Sequence, residues 1–150
     1  MANSYTSLHY HAVFSTKKRE RLIAPAIEQR IWEYLGGIAR NNGIKALCIG
    51  GVDDHVHILF GLPPTLTVSK AMQFLKGGSS KWIHDNFPEL RHFGWQDGYG
   101  AFTIGISQIP DTIKYIQTQR EHHVGHSFEE EYLAFLRKHQ IEFDERYVLD

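Results

Sequence analysis

Hydrophobic and polar positions alternate with a period of two in four separate stretches of the chain. Residues 5–16 are rich in aromatic and β-branched side chains, and the stretches 44–52 and 55–62 are two further apolar runs. A fourth alternating stretch covers residues 99–107. Because successive side chains of a strand point to opposite faces, this pattern predicts four β-strands, the second and third joined by a tight connection.

Apolar residues with helical spacing fill the gaps between these strands. A first helix is predicted from Pro25, a residue favoured in a first turn, to Asn41. Thr67 is the expected N-cap of a second helix that ends near Asn86. The stretch KGGSSKW, residues 76–82, is expected to interrupt or re-cap this helix, because paired glycines weaken a helix and serines restart one.

Two more helices are predicted after the fourth strand, one from Pro110 to about His123 and one over residues 128–139. The order strand, helix, strand, strand, helix, strand is that of a ferredoxin-like βαββαβ sandwich of the α+β class. It predicts a four-stranded antiparallel sheet with helices on one face and the other face open. The C-terminal helices, one of which carries Tyr115, are added to this unit.

The composition limits the class of protein. A chain of 150 residues with 42% hydrophobic content fits one domain over residues 1–150. The net charge of -1 gives no overall basic signature for nucleic-acid binding. The single Cys48 excludes an internal disulfide and fits a reducing compartment. The start MANSYTSLHY has no apolar segment and no run is long enough for a membrane span, so a cytoplasmic protein is expected.

The stretch DDHVHILF, residues 53–60, places two histidines one residue apart in an apolar run that is too short for a helix. In a strand, His55, His57 and Leu59 share one face, and the remaining apolar residues share the other. One face therefore belongs to the core, and the other is free to carry chemistry. Histidines that are partly buried and purely structural are the simpler interpretation of this motif alone.

A second motif lies in IPDTIKYIQTQREHH, residues 109–123. At roughly 100° per residue, Tyr115, Gln119 and His122 form a stripe about 120° from the isoleucine stripe of the same helix. Tyr115 and Gln119 are one turn apart, so both side chains can meet one ligand. A generic helix tyrosine is the simpler alternative.

Together the two motifs provide the parts of a metal-dependent phosphodiester reaction. Two imidazoles and an amide oxygen can hold a divalent cation with open positions, and such a cation polarises a phosphodiester. The phenol of Tyr115 could then attack phosphorus. Because a phenol has a pKa of about 10, it needs a nearby cation or base. Besides the metal, the candidates are Lys114, Arg120 and His122.

These residues lie in motifs that resemble the HUH-type single-tyrosine transposases of bacterial insertion sequences, the IS200-like transposase family. The matching stretches are YHAVFSTKKR, DHVHILF, LKGGSSKWIH, WQDGYGAFTI and YIQTQREHH. The resemblance extends over essentially the whole chain. It implies that His55, His57 and Gln119 bind Mg2+ or Mn2+ and that Tyr115 is the nucleophile.

The resemblance also implies a reaction and partners. Family members cut single-stranded DNA at sites located by flanking hairpins, form a 5′-phosphotyrosine intermediate, free a 3′-hydroxyl and rejoin the strands. They need no nucleotide cofactor. A homodimer is implied, commonly with the tyrosine helix of one subunit completing the histidine site of the other.

DNA contacts are expected from a local group of basic residues, although this group is equally typical of solvated turns. Binding through phosphates predicts a steep salt dependence. Three aromatic residues, Trp82, Trp95 and Tyr99, are candidates for stacking on unpaired bases. The basic candidates are Lys17, Lys18, Arg19, Arg21, Lys76, Lys81 and Arg91.

Other polar residues receive plainer interpretations. His122 and His123 are expected at the surface or behind the metal ligands, and the residues Glu129–Glu131 are expected to face water. Asp53 either orients an imidazole or belongs to a turn. His9 and His11 share a strand face, but a structural role is preferred because no third ligand is evident nearby.

Three other functions fit parts of the sequence. An RNA-recognition module shares the strand order, but its Gly-Phe-rich central-strand motif is missing and the histidines stay unexplained. A catalytically idle DNA- or RNA-binding regulator on the same scaffold, and a metal-dependent phosphodiesterase without a covalent step, remain open. Tyr115→Phe separates them from a transposase, because only a tyrosine nucleophile makes cleavage depend on the phenol.

Overall fold

The computed structural model of the protein describes residues 3–150, and its centre is a four-stranded antiparallel sheet. The strand order is β2-β3-β1-β4, which is the ferredoxin-like order, so the predicted fold class is confirmed. β1 and β3 are the two central strands, and in their pairing Val13 lies opposite His57. The strands are β1 (His9–Ser15), β2 (Lys45–Val52), β3 (His55–Gly61) and β4 (Gly100–Ile104).

Two long helices, α1 (Pro25–Asn41) and α2 (Val68–Asn86), pack on one face of the sheet. As expected, the side chain of Thr67 caps α2 by accepting a hydrogen bond from the Lys70 amide (3.1 Å). The main core lies between these helices and the sheet and includes Phe14, the bulkiest buried residue of β1. Within residues 3–150, no helix is both long enough and apolar enough to cross a membrane.

The expected interruption of α2 at residues 76–82 is wrong, because the helix continues through this stretch. The Ser79 hydroxyl donates to the Leu75 carbonyl of the same helix (2.6 Å) instead of starting a new one, and it accepts from the indole N–H of Trp95 (2.9 Å). A Cβ at Gly78 would lie 3.0 Å from a methyl of Ile38 on α1. The small residues therefore serve close helix packing, which offsets their low helix propensity.

The other face of the sheet is covered, so the expectation of an open face is also wrong. Three C-terminal helices occupy it: α3 (Ile109–Gln117), α4 (Gln119–His122) and α5 (Phe128–Lys138). The single helix predicted up to His123 is broken at Thr118, whose backbone leaves the helical region (φ −108°, ψ 28°). The second hydrophobic cluster, which holds α5 to the sheet, is Val13, Phe102, Phe128, Tyr132 and Leu136.

The helix that carries Tyr115 approaches β2 closely at Gly50. A Cβ at this position would lie 2.9 Å from a methyl carbon and 3.0 Å from the carbonyl oxygen of Ile116, the residue that follows Tyr115. Real side chains rarely tolerate such distances. Gly50 therefore sets how near the tyrosine can come to the sheet.

We expect Gly50→Ala to destabilise the protein by about 1–3 kcal/mol, because overpacking forces α3 away from β2. Gly77→Ala is the matched control, since nothing lies within 4 Å of a Cβ there. This helical position should gain roughly 0.5–1 kcal/mol from the better helix former. Urea unfolding measures both changes, and a Gly50→Ala variant as stable as the parent protein would contradict the packing described.

Candidate active site

β3 carries the two predicted histidines on the face that α3, α4 and α5 cover. His55 and His57 are both fully buried (0% exposed), although they are polar. The alternate residues Val56, Ile58 and Phe60 belong to the main core on the other face. The prediction that one face of this strand is core and the other carries polar chemistry is confirmed.

Four potential ligand groups converge on this face of β3. They come from His55, His57, His123 and Glu131, and one ligand atom of each lies within 4.8 Å of the others. The carboxylate of Glu131 is central: its Oε1 is 3.0 Å from His57 Nε2 and 3.5 Å from His55 Nε2. Its Oε2 is 3.2 Å from His123 Nε2. This buried group can bind a metal ion.

The three imidazoles are oriented in the same way. Each directs Nε2 toward the shared centre, and each Nδ1 is engaged by another group of the protein. Ligating histidines in metal proteins are typically held by such a second contact, which fixes ring orientation and tautomer. The Nδ1 partners are Asp54 Oδ1 for His55 (2.7 Å), His11 Nε2 for His57 (2.8 Å) and the His126 carbonyl for His123 (2.7 Å).

Gln119, the third ligand proposed from the sequence, joins the same cluster. It is 1% exposed, and its Oε1 lies 3.2 Å from His55 Nε2 and 3.0 Å from His123 Nε2. Its amide nitrogen donates to the carbonyl of Tyr115 (3.0 Å), which fixes the direction of the oxygen. The structure thus brings all three sequence-predicted ligands together.

Two members of the cluster were assigned other roles from the sequence. The expectation that Glu131 faces water is wrong, because this residue is only 7% exposed. A signal was present: Glu131 lies at helical spacing from Phe128 and Phe135, on the apolar stripe of α5. His123 belongs among the candidate ligands and not only behind them.

The residue that orients His55 is Asp54 rather than Asp53. Asp53 lies in the same turn, but its carboxylate oxygen is 3.6 Å from the guanidinium of Arg120 instead. The predicted structural role of His11 agrees with its buried contact to His57 on the same face of the sheet. The contact between His11 and His57 joins β1 to β3, so sequence spacing alone does not reveal it.

The phenol of Tyr115 lies at the edge of the cluster. Its hydroxyl donates a short hydrogen bond to Glu131 and lies 3.2 Å from His122 Nε2. Its ring contacts the ring of His57, with centroids 5.6 Å apart. Phenol, imidazoles and carboxylate therefore meet within this one chain.

Of the three residues suggested as helpers of the phenol, only His122 lies beside it. The guanidinium of Arg120 is engaged elsewhere, because it binds the carboxylate of Glu28 (2.7 Å). Lys114 is exposed on α3. Of these three residues, His122 is therefore the candidate proton acceptor for Tyr115.

Burial and hydrogen bonding set the protonation of the cluster. Burial opposes ionisation of Glu131, but hydrogen bonds from His123 and His57 outweigh it and hold the pKa of this carboxyl well below its usual range. Burial and then the charge of Glu131 raise the pKa of Tyr115. Burial lowers the pKa of His57. Without a cation, the site at neutral pH holds an anionic carboxylate, a neutral His57 and a protonated phenol.

His11 makes folding stability sensitive to acid. Burial, followed by the nearby His57, lowers the pKa of His11 from 6.5 to about 3. The folded state therefore binds fewer protons than the unfolded chain between these values, so stability present above pH 6.5 falls as the pH drops toward 3. We expect His11→Asn to reduce this slope in metal-free protein.

Urea unfolding between pH 7.5 and 4.5 in a chelator tests the role of His11. His92→Asn is the matched control, because His92 is exposed. The control should keep the slope of the parent protein. Equal slopes in His11→Asn and the parent protein would contradict the assignment.

The predicted DNA-binding residues are spread over several surfaces. Lys17, Lys18 and Arg19 form a short 3-10 turn after β1, where Arg19 pairs with Glu129 of α5 (2.8 Å). Arg21 lines a cavity next to the Asp53–Asp54 turn. This basic group lies beside the end of β3 that carries His55. It can therefore bind the phosphates of a DNA strand that enters the site.

The remaining basic candidates lie away from the cluster. The ammonium of Lys76 donates to the carbonyls of three consecutive residues, 96–98, which anchors the loop before β4. Lys81 pairs with Asp85 on the exposed side of α2 (2.9 Å), and Arg91 is exposed in a turn. α2 packs on the opposite face of the sheet from the histidines.

The aromatic residues proposed to stack on bases are mostly engaged in the protein. Trp95 is only 6% exposed and packs edge-on against Phe14 (4.9 Å between centroids), so a stacking role for it is wrong. Trp82 stacks on Tyr34 (4.4 Å) on the helical face. Tyr99 is partly buried against the main core.

Comparisons with known proteins identify transposases of similar sequence. The chain is 25% identical over 119 residues to the ISDra2 transposase TnpA of Deinococcus radiodurans, covering 76% of this chain and 85% of that protein. It is 29% identical over 123 residues to the transposase for insertion sequence element IS200 of Salmonella typhimurium, covering 77% and 80%.

Two solved structures share the fold. A crystal structure of a transposase from Deinococcus radiodurans R1 superposes with a TM-score of 0.64 at 25% identity, covering 79% of this chain and 96% of that one. A REP-associated tyrosine transposase bound to a REP hairpin superposes with a TM-score of 0.60 at 13% identity, covering 83% and 75%. The Transposase IS200 like family model matches residues 4–119, which include Tyr115 and Gln119. The chain therefore belongs to the IS200-like transposase family.

Proposed function

We propose that this protein cleaves and rejoins single-stranded DNA through a covalent link between Tyr115 and a 5′-phosphate. One observation carries the proposal: the Tyr115 hydroxyl meets a buried group of three imidazoles and a carboxylate inside one chain. A phenol next to potential metal ligands is a combination that can cleave a phosphodiester through a covalent link. Membership of a transposase family supports the same reaction.

The candidate ligands fit a divalent cation. His55, His57 and His123 would offer Nε2 atoms, and Gln119 and Glu131 would offer oxygens. Carboxylate and amide oxygens suit Mg2+ and Mn2+, whereas several imidazoles favour Mn2+ over Mg2+. When bound, the cation would polarise the scissile phosphate as a Lewis acid.

The residues of the chain account for the bonds and protons. The oxygen of Tyr115 attacks phosphorus, the bond from phosphorus to the 3′-oxygen breaks, and the phenolic proton passes to Nε2 of His122. The same imidazole returns this proton to the departing 3′-oxygen, which gives a free 3′-hydroxyl and a 5′-phosphotyrosine. Rejoining reverses the order: a 3′-hydroxyl attacks the phosphotyrosine and releases the phenol.

Glu131 must give up its hydrogen bond to Tyr115 for this attack. Its carboxylate lies between the phenol and His57, where the phosphate has to enter. Its charge also keeps the phenol protonated. A strand that displaces the carboxylate from the phenol removes both obstacles.

We also propose that the substrate carries hairpins and that the protein acts as a homodimer. A relative with the same fold is described as bound to a REP hairpin, and Lys17 to Arg21 form a basic segment next to the site. Because the ligand groups meet in one chain, the dimer would serve to hold two DNA ends together. Residues 1–150 are proposed to act as one domain, since the helices with Tyr115 and Gln119 pack on the common sheet.

Incubation with Mn2+ and the single-stranded ends of the element that encodes the chain tests the proposal. We expect a covalent adduct in denaturing electrophoresis, with mass spectrometry assigning a 5′-phosphate to Tyr115. Hairpin binding without an adduct would instead favour the idle regulator. Cleavage with free 5′-phosphate ends and no adduct would favour a phosphodiesterase.

A further inference from the structure

A second cavity, of about 370 Å³, lies on the other side of Tyr115 from the histidine cluster. It opens between α3 and α5 and reaches down to β1 and β4. Tyr115 borders both places: its hydroxyl meets Glu131, and its ring forms part of the cavity wall. Whatever occupies the cavity is therefore adjacent to the phosphate that the phenol would attack.

The walls come from two facing helix stripes. Gln108, Thr112 and Tyr115 recur at helical spacing along the start and inner face of α3. Phe135 and His139 do the same on α5, with Lys138 beside them at the rim. The polar groups thus concentrate on one wall and the aromatic rings on the other.

The aromatic wall consists of parallel rings. Phe102, on the floor, stacks on Phe135 (5.2 Å between centroids, 20° between planes) and on His139 (4.6 Å, 17°). Phe135 is only half-buried and His139 is exposed, so both rings are accessible from the cavity. Flat aromatic surfaces of this kind bind unpaired bases by stacking, and every base offers a suitable face.

The opposite wall can read the edge of a base. Gln108 uses its side-chain oxygen to accept from the Gly105 amide (2.9 Å), which leaves its NH2 group for a ligand. Asp111 places a carboxylate at the same wall. Among the described residues, 3–150, no salt bridge or hydrogen bond engages this carboxylate. A carboxylate accepts from an exocyclic amine, which adenine and cytosine carry and thymine lacks.

We propose that this cavity binds the base of the nucleotide next to the scissile phosphate and prefers bases with an exocyclic amine. The inference rests on the proposed function, because it takes the phosphate to lie at Tyr115. Phe135 and His139 provide the stacking surface, and Asp111 provides the selectivity. Lys138 at the rim would meet the adjoining phosphate. A cavity of this size falls within the range of small-ligand sites.

Fluorescence anisotropy with labelled 12-mers of dA, dC and dT tests the base preference without any cleavage. We expect dA and dC strands to bind roughly five-fold or more tightly than dT, the scale of one hydrogen-bonded base contact, because stacking is common to all three bases. Asp111→Asn should weaken this preference. Phe135→Ala should reduce binding of all strands, since it removes the stacking surface.

Thr112→Trp tests independently whether DNA binding depends on the cavity, because it fills the cavity without truncating a packed ring. It should lower dA binding about five-fold or more. Thr65→Trp, in an exposed loop, and Tyr147→Ala, an exposed ring near the C-terminus, are matched controls that should not change binding. Unfolding curves of each variant verify that the fold is kept.

Equal affinity for the three strands, together with no effect of Thr112→Trp, would overturn the inference. The outcome is separable from that of the proposed function. If the protein forms the Tyr115 adduct but shows no base preference, the cavity proposal alone is contradicted. If the protein never forms the adduct but shows a base preference that Thr112→Trp abolishes, base binding in the cavity is supported and the covalent mechanism is contradicted.

Discussion

Tyr115→Phe is expected to eliminate the covalent protein–DNA adduct while DNA binding and Mn2+ binding persist. The substitution removes only the hydroxyl that lies between Glu131 and His122. Removing a nucleophile costs on the order of a million-fold in rate in other enzymes with covalent mechanisms, so no adduct should be detectable. Denaturing electrophoresis of labelled single strands measures the adduct, and anisotropy measures binding.

Tyr147→Phe is the control for this experiment, because this tyrosine is exposed (62%) and does not touch the cluster. It should form the adduct at the rate of the parent protein. If Tyr115→Phe still cuts DNA, the phenol is not the nucleophile and a water-dependent phosphodiesterase becomes the better account. If the variant loses hairpin binding as well, the tyrosine is needed for recognition and not only for chemistry.

Glu131→Ala is expected to have the second largest effect, a loss of Mn2+ affinity of about 10–100-fold or more. The carboxylate contacts all three imidazoles, so its removal takes a negative charge from the centre of the cluster. Glu129→Ala is the matched control: it lies on the same helix but pairs with Arg19 at the surface (2.8 Å). Isothermal titration with Mn2+ gives both affinities directly.

The Mn2+ titration also has a result that would count against the site. Equal Mn2+ affinity in Glu131→Ala and the parent protein would mean that Glu131 is no ligand and that its burial serves packing. In that case His55, His57 and Gln119 would remain the ligand set implied by the resemblance. A further titration of Gln119→Ala would then show whether the smaller set binds the cation.

Local sequence patterns predicted the elements of the fold and the residues that lie on them. The period of two placed His55 and His57 on a polar face of β3, and the period of a helix placed Tyr115 and Gln119 on a common stripe. The first inference needs only the geometry of one strand, and the second holds although the helix breaks at Thr118, between the two residues. They hold because neighbouring strands and helices do not change which face a residue occupies.

Contacts between elements distant in the chain were the part that the sequence did not reveal. The sequence predicts that Glu131 faces water, because acidic residues in the first turn of a helix usually do. Only the packing of α5 on the sheet buries this residue. The same docking brings His123 to His55. Their residue types suggest that Trp95 and Lys76 contact DNA. Trp95 instead packs in the core, and the ammonium of Lys76 anchors the loop before β4. Residue type alone does not report such tertiary partners.

We propose that Tyr115 and the cluster of His55, His57, His123 and Glu131 share one cation site within a single chain. Anomalous diffraction at the manganese edge, from crystals grown with Mn2+, tests it most directly. We expect one strong peak among these imidazoles, with the Tyr115 hydroxyl of the same chain beside it. A peak elsewhere, or no peak in Mn2+-saturated crystals, would contradict it.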